Sequence, residues 1–310
     1  MISFVEFIHR DILLEGGKAL EGVVRMNQKN AAATIQKTID DVSSLFGIST
    51  KDLKVLGSAG KKDPEKNGDQ EGSSGDIDLG VSVEAVKNAH QELEDYDAIF
   101  TFMKDRLEDS FEKVRNLKGL KVISVGYPIV SADEAQQDCL VQLDIMPVAS
   151  LDFSEWAYYS PSFKDSKWKG LYRNELLYAI AKFADLKVKK STKVNDEDVP
   201  TEWDRFFFDL NGGLMQGTQT KIGKKAVNKS MKTVSKNLVS NDPKKICEFF
   251  FGPGVSPADA LTFEQVYALI MSEKFPYKAN RDKILAMAAK GIKEVKKHEL
   301  PDELKQYYKG

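Results

Sequence analysis

Along this chain the spacing of apolar residues changes period several times, and each change marks an element. Ile35, Ile39, Val42 and Phe46 recur at helical spacing, which predicts an amphipathic helix over 29–46 with Gly47 as its C-terminal cap. The LKVLG segment that follows reads as a strand ending at Gly57. Residues 59–75, AGKKDPEKNGDQEGSSG, are polar and glycine-rich and read as a surface loop. The string at 72–75 reads as a turn rather than a phosphate loop, because it leads into a strand and not a helix. In IDLGVSV the period falls to two. Asp76, Asp78 and Gly80 share one face there, and Ile77, Leu79 and Val81 share the other.

A helical pattern returns over 84–117, with Phe100, Met103, Leu107, Phe111 and Val114 on one stripe. KVISVGYPIV and CLVQLDIMPV, separated by the polar SADEAQQD, read as an antiparallel hairpin. In the second of these strands Gln142, Asp144 and Met146 lie on one face, opposite Val141, Leu143 and Ile145. After the aromatic segment FSEWAYYSPSF the patterns are helical, including Leu171 to Leu186 and Phe263 to Phe275. The second of these opens on Thr262 followed by Gln265, the spacing of a capping box. The expected class is therefore α+β: a small mixed or antiparallel sheet flanked by helices, then a mainly helical domain, divided near residue 155.

Composition narrows the setting. At 310 residues the chain is long enough for two domains. No segment approaches the roughly 18–20 unbroken apolar residues that a bilayer span needs, so no membrane association is expected. The opening MISFVEFIHRDILLEGG has acidic groups within its apolar stretch and does not read as a secretory signal, which points to a cytoplasmic protein. Cys139 and Cys247 are too few for a disulfide framework, lack zinc spacing and read as core residues. His9, His90 and His298 form no nucleophile–base arrangement, so serine or cysteine hydrolase chemistry is unsupported.

The net charge of −2 gives no global attraction to nucleic acid. Between Asp209 and Asp242, however, no acidic residue occurs, and Lys221, Lys225, Lys229, Lys232 and Lys236 recur at helical spacing, with Lys224 beside them. Such a stripe either tracks a phosphate backbone or is a solvated face balancing acidic regions elsewhere.

The chemistry gathers around three carboxylates. Asp76 and Asp78, at i and i+2 on a strand, project from one face, and Asp144 on a second strand is the best third ligand. Three such groups can complete a site for hard divalent ions, which prefer oxygen. Gly57-Ser58 at a strand end adds a place where backbone can approach phosphates and a hydroxyl and amides can donate to them. Lys61 and Lys62 either touch those phosphates or serve solubility. Arg173 and Asn174 either reach the nucleotide or form an exposed helix start.

Taken in order, LGSAGKK, SGDIDLGV and VQLDIMPV resemble the signature of the DNA polymerase β-like nucleotidyltransferase superfamily: an apolar residue, Gly-Ser, a spacer, Asp-x-Asp, then a third carboxylate. The likeness covers about residues 29–150. The seventeen residues between Ser58 and Asp76 exceed the usual spacer, so this loop must bulge away from the site. SGDIDLGV and WKGLYRNELLYAIAK are also similar to phage-encoded members.

The resemblance implies a catalytic domain over 1–155 and a substrate-binding domain over 156–310. It implies that Asp76, Asp78 and Asp144 hold Mg2+ or Mn2+, with Asp144 helping to activate the acceptor hydroxyl. Gly57, Ser58, Lys61 and Arg173 would then serve a nucleoside triphosphate, ATP or CTP. The implied reaction moves a nucleoside monophosphate to a hydroxyl with release of pyrophosphate, and the lysines favour RNA as acceptor. A protein or small-molecule acceptor, and a non-catalytic RNA-binding or assembly protein on the same scaffold, stay open as alternatives.

Overall fold

A computed structural model of the chain describes residues 19–63, 65, 72–117, 121–131, 134–194, 197–222 and 230–308. It has an α+β architecture in two compact units, whose described residues run over 19–167 and 168–308.

The first unit opens with strand β1 (Met26–Asn27) and helix α1 (Gln28–Phe46), which Gly47 closes at φ +65°. Its buried face is rotated from the stripe expected from Ile35 and Ile39: it runs through Ala31, Thr34, Thr38, Val42 and Phe46. Two threonines can be buried because their hydroxyls donate back along the helix, Thr34 to the Asn30 carbonyl and Thr38 to the Thr34 carbonyl, each at 2.8 Å. Next come β2 (Leu53–Leu56), β3 (Ser73–Ser74) and β4 (Asp76–Ser82). Ser73 and Ser74, expected in a turn, instead pair with Asn27 and Met26 as a two-residue ladder.

The single helix expected over 84–117 is three elements: α2 (Val83–Ala89), α3 (Tyr96–Ser110) and strand β5 (Val114–Leu117). The break falls where Asp95 caps α3, its carboxylate accepting from the Ala98 amide at 2.9 Å. β6 (Val122–Pro128) and β7 (Leu140–Val148) form the antiparallel pair expected of them, and α4 (Leu151–Ala157) follows.

The resulting five-stranded sheet has the order β2-β4-β7-β6-β5, in which only β4 and β7 run parallel. One sheet face carries the core. Ile77, Leu79, Val81, Leu143, Ile145, Ile123 and Val125 are inaccessible to solvent and pack with Val42 and Phe46 of α1 and Ile99, Met103 and Leu107 of α3. The opposite face has a smaller apolar cluster around Leu56, Met146 and Val148. That leaves room on this face for the polar residues of β4 and β7.

The second unit corrects the mainly helical expectation. Helix α5 (Gly170–Phe183) leads into a four-stranded antiparallel sheet of β8 (Lys187–Val194), β9 (Glu197–Asp209), β10 (Gly213–Ile222) and β11 (Ser230–Ser240), in that order. Helices α6 (Pro243–Phe251), α7 (Phe263–Met271), α8 (Arg281–Lys290) and α9 (Asp302–Lys305) follow. The Thr262–Gln265 capping box forms as expected. Phe206 and Phe208 of β9 carry the sheet against α6 through ring contacts with Phe249 and Phe250.

The described part of the lysine stripe is accordingly not helical. Lys221 belongs to β10 and Lys232 and Lys236 to β11, while Lys224, Lys225 and Lys229 lie outside the described residues. A spacing of four, as between Lys232 and Lys236, is even, so strands satisfy it as readily as helices do. Lys236 forms an ion pair with Asp209. Among the described residues no helix is long and apolar enough to cross a membrane.

Leu143 lies in the central strand with no solvent exposure. Leu143→Ala is expected to lower unfolding free energy by about 2–5 kcal/mol in urea denaturation. A loss below about 1 kcal/mol would contradict this core assignment.

Candidate active site

The register of the parallel pair decides the site. Asp78 of β4 stands opposite Asp144 of β7, and Asp76 opposite Gln142. Because Ile77, Leu79, Leu143 and Ile145 turn into the core, Asp76, Asp78 and Asp144 are delivered together to the other face. Each offers a carboxylate oxygen, and the three oxygens lie within 4.8 Å of one another. Three half-buried hard donors at this spacing fit a divalent cation such as Mg2+ or Mn2+, with positions left over for water or phosphate oxygens.

Asp144 is supported from two sides. Ser124 of β6, its partner across the antiparallel ladder, donates from Oγ to Oδ1 at 2.6 Å. Gln142 donates from Nε2 to Oδ1 at 3.0 Å and Oδ2 at 2.9 Å, while its Oε1 accepts from the Ala19 amide at 2.8 Å. Burial, with a further contribution from the negative charge of Asp76, pushes the Asp144 carboxyl up to about 6, and the two hydrogen-bond donors work against that rise. Sequence reasoning placed Gln142 on the right face and gave it no role, and it missed Ser124 entirely. The signal for Ser124 is a polar residue between Ile123 and Val125 in an otherwise apolar strand.

Gly57 follows β2 directly. Its amide donates to the Tyr158 carbonyl at 3.2 Å and its φ is +66°. A Cβ at this position would overlap the Asp78 carboxylate, so both conformation and space require glycine. Ser58 begins a turn closed by the Lys61 amide donating to the Ser58 carbonyl at 3.1 Å, with Gly60 at φ +78°. Lys61 is half-buried, its Nζ 4.9 Å from the centre of the Tyr159 ring, and burial lowers its ammonium pKa against the opposing pull of Glu155. The Lys62 amide donates to Gln28 Oε1 at 3.1 Å.

Thus Asp76, Asp78, Asp144 and Gly57 are assembled in one place, with Ser58 and Lys61 on the adjoining turn. Arg173 belongs to the second unit. There it is fully buried, Nε donating to the Ala260 carbonyl at 2.6 Å and an Nη to Asn174 Oδ1 at 3.2 Å. The exposed helix start expected at Arg173 and Asn174 is therefore a buried one.

No family model and no curated protein matches this sequence. Among solved structures the chain is similar to the Cid1 poly(U) polymerase with MgGTP bound, at 12% identity and a TM-score of 0.26, over 64% of this chain and 64% of that one. With under two thirds of that polymerase spanned, the chemistry of the site rests on its own geometry.

Two outcomes test this geometry. Above about pH 6 the folded state must hold an ionised Asp144 that it disfavours, whereas the unfolded chain ionises near the ordinary value of 3.8. Between those values the folded state binds more protons, so this group's contribution to stability falls as pH rises. In EDTA, urea denaturation from pH 4 to 7 should show wild type losing stability relative to Asp144→Asn across that window, and Mg2+ should restore it. Parallel profiles would refute the assigned environment. Separately, Gly57→Ala should weaken Mn2+ binding, followed by electron paramagnetic resonance, by about tenfold or more, as expected when the placement of a ligand is disturbed. Unchanged affinity would show that Gly57 does not shape the carboxylate site.

Proposed function

We propose that this chain is a metal-dependent nucleotidyltransferase that transfers a nucleoside monophosphate from a triphosphate to an acceptor hydroxyl. The observation that carries the reading is the convergence of Asp76, Asp78 and Asp144 across the parallel β4–β7 pair, next to the Gly57-Ser58 turn. In this reading the unit over 19–167 is catalytic and the second unit binds substrate.

The acceptor oxygen forms a bond to the α-phosphorus while the bond from that phosphorus to the bridging oxygen breaks. Pyrophosphate leaves with the electron pair, and the hydroxyl proton passes to the Asp144 carboxylate. Mg2+ or Mn2+ held by the three aspartates would neutralise phosphate charge. Gly57 lets backbone approach the triphosphate, Ser58 donates to it, and Lys61 adds positive charge on the same turn. Ser124 and Gln142 fix the rotamer of Asp144, so little reorganisation is needed when substrate arrives.

RNA is the favoured acceptor class. The acid-free stretch between Asp209 and Asp242 is rich in lysine, with Lys221 on β10 and Lys232 and Lys236 on β11, a composition suited to a phosphate backbone.

Purified protein with Mg2+, each labelled triphosphate and an RNA pool should give extended RNA and pyrophosphate. Asp76→Asn and Asp144→Asn should each lower the rate by about a hundredfold or more while the protein stays folded. Equal rates in wild type and both variants would remove the catalytic assignment. Lys225→Glu with Lys229→Glu should reduce RNA extension and its salt dependence. Labelling of a protein or small molecule that survives this double substitution would replace RNA as the acceptor.

A further inference from the structure

The second unit holds a pocket of about 700 Å3 that the proposed reaction does not use. Lys182, in the last turn of α5, Lys283 and Lys290 on α8, and Tyr307 and Tyr308 after α9 all line it. The carboxylate in its lining is Asp282, and Lys290 is 3.6 Å from Glu294, which lies beside it. Lysines therefore outnumber the acids around this opening.

Lys182 sets the pocket apart from an ordinary solvated face. It is half-buried, and the charges that act on it are those of cations, Arg205 of β9 and Lys290. Burial first, then these two like charges, hold its ammonium below the ordinary lysine range. Burial brings Arg205 down to about 10, and its Nε is enclosed with no hydrogen-bond acceptor among the described residues. One lysine at the end of α5 is accounted for by the carbonyls of a helix C-terminus. Three lysines lining one opening from α5 and α8 are not.

Anionic oxygens would relieve that crowding, and the tyrosines specify more than an inorganic anion. Aromatic rings beside cations are the arrangement that stacks a base while holding its phosphate, and the volume falls in the range of small-molecule sites. We propose that this pocket binds a nucleoside phosphate, with the phosphate toward Lys182, Lys283 and Lys290 and the base against Tyr307 or Tyr308. The source is either a free nucleotide or one unit of a single-stranded RNA. The inference does not depend on the reaction proposed above, because none of its residues belongs to the carboxylate site.

The test uses the full chain in EDTA, so that metal-dependent triphosphate binding at the aspartates does not contribute. Fluorescence anisotropy is measured with a short labelled single-stranded RNA of mixed sequence and with a fluorescent nucleoside monophosphate. Lys283 and Lys290 are exposed, so Lys283→Glu with Lys290→Glu leaves the core intact. The double substitution should weaken binding by about tenfold or more, and for RNA should flatten the slope of log affinity against log salt by about 0.7, the value for one phosphate contact. Lys274→Glu with Lys278→Glu, exposed lysines outside the pocket, should bind as wild type does.

A pocket-dependent loss with the monophosphate identifies a free nucleotide as the source, and a loss seen with RNA alone identifies a strand. The proposal is overturned if neither probe binds, if the pocket variant binds as tightly as wild type, or if the control variant loses as much.

Discussion

Parallel strands paired in register bring like positions side by side, and here that rule places negative charges together. Asp78 and Asp144 are direct partners on β4 and β7, with Asp76 one pleat away. Nothing in hydrophobic burial favours three carboxylates within 4.8 Å. The arrangement persists because the same two strands present Ile77, Leu79, Val81, Leu143 and Ile145 to the opposite face. Each fully buried side chain of that kind contributes about 1.5–3 kcal/mol, so the core can hold the sheet against local repulsion.

The surroundings of Asp144 follow from that conflict. Burial and the charge of Asp76 favour a proton on the carboxylate, while the Ser124 hydroxyl and the Gln142 amide favour its ionised form. Gly57 answers a spatial demand of the same cluster, since its missing side chain leaves the space that the Asp78 carboxylate occupies. Turn, strand pair and hydrogen-bond donors therefore form one constrained object.

Much of this is readable in the sequence because β4 and β7 alternate around the three aspartates, and that alternation names both the core face and the acidic face. Gly47 likewise marked the end of α1 through the left-handed conformation it adopts. Other features were hidden for physical reasons. The buried face of α1 uses Thr34 and Thr38, which hydropathy counts as polar although their hydroxyls are satisfied within the helix. The β10–β11 pair reads as helix because most of the lysine spacings along 221–236 are four residues, a spacing common to both periodicities. Ser124 acts only through a cross-strand partner distant in sequence, which periodicity does not report. Burial of Arg173 depends on the Ala260 carbonyl, another contact that no local pattern encodes.

The amide of Gln142 has chemically distinct ends, and both are committed: nitrogen to the Asp144 carboxylate and oxygen to the amide of Ala19. Reversing it would set a carbonyl dipole against a carboxylate and an NH2 against a backbone N–H, so the side chain is keyed in one orientation. Glutamate could still accept from Ala19 but would bring a fourth negative charge, and leucine would satisfy neither neighbour. Position 142 thus ties the backbone ahead of β1 to the charge of the site through a polarity that neither an acidic nor an apolar residue can supply.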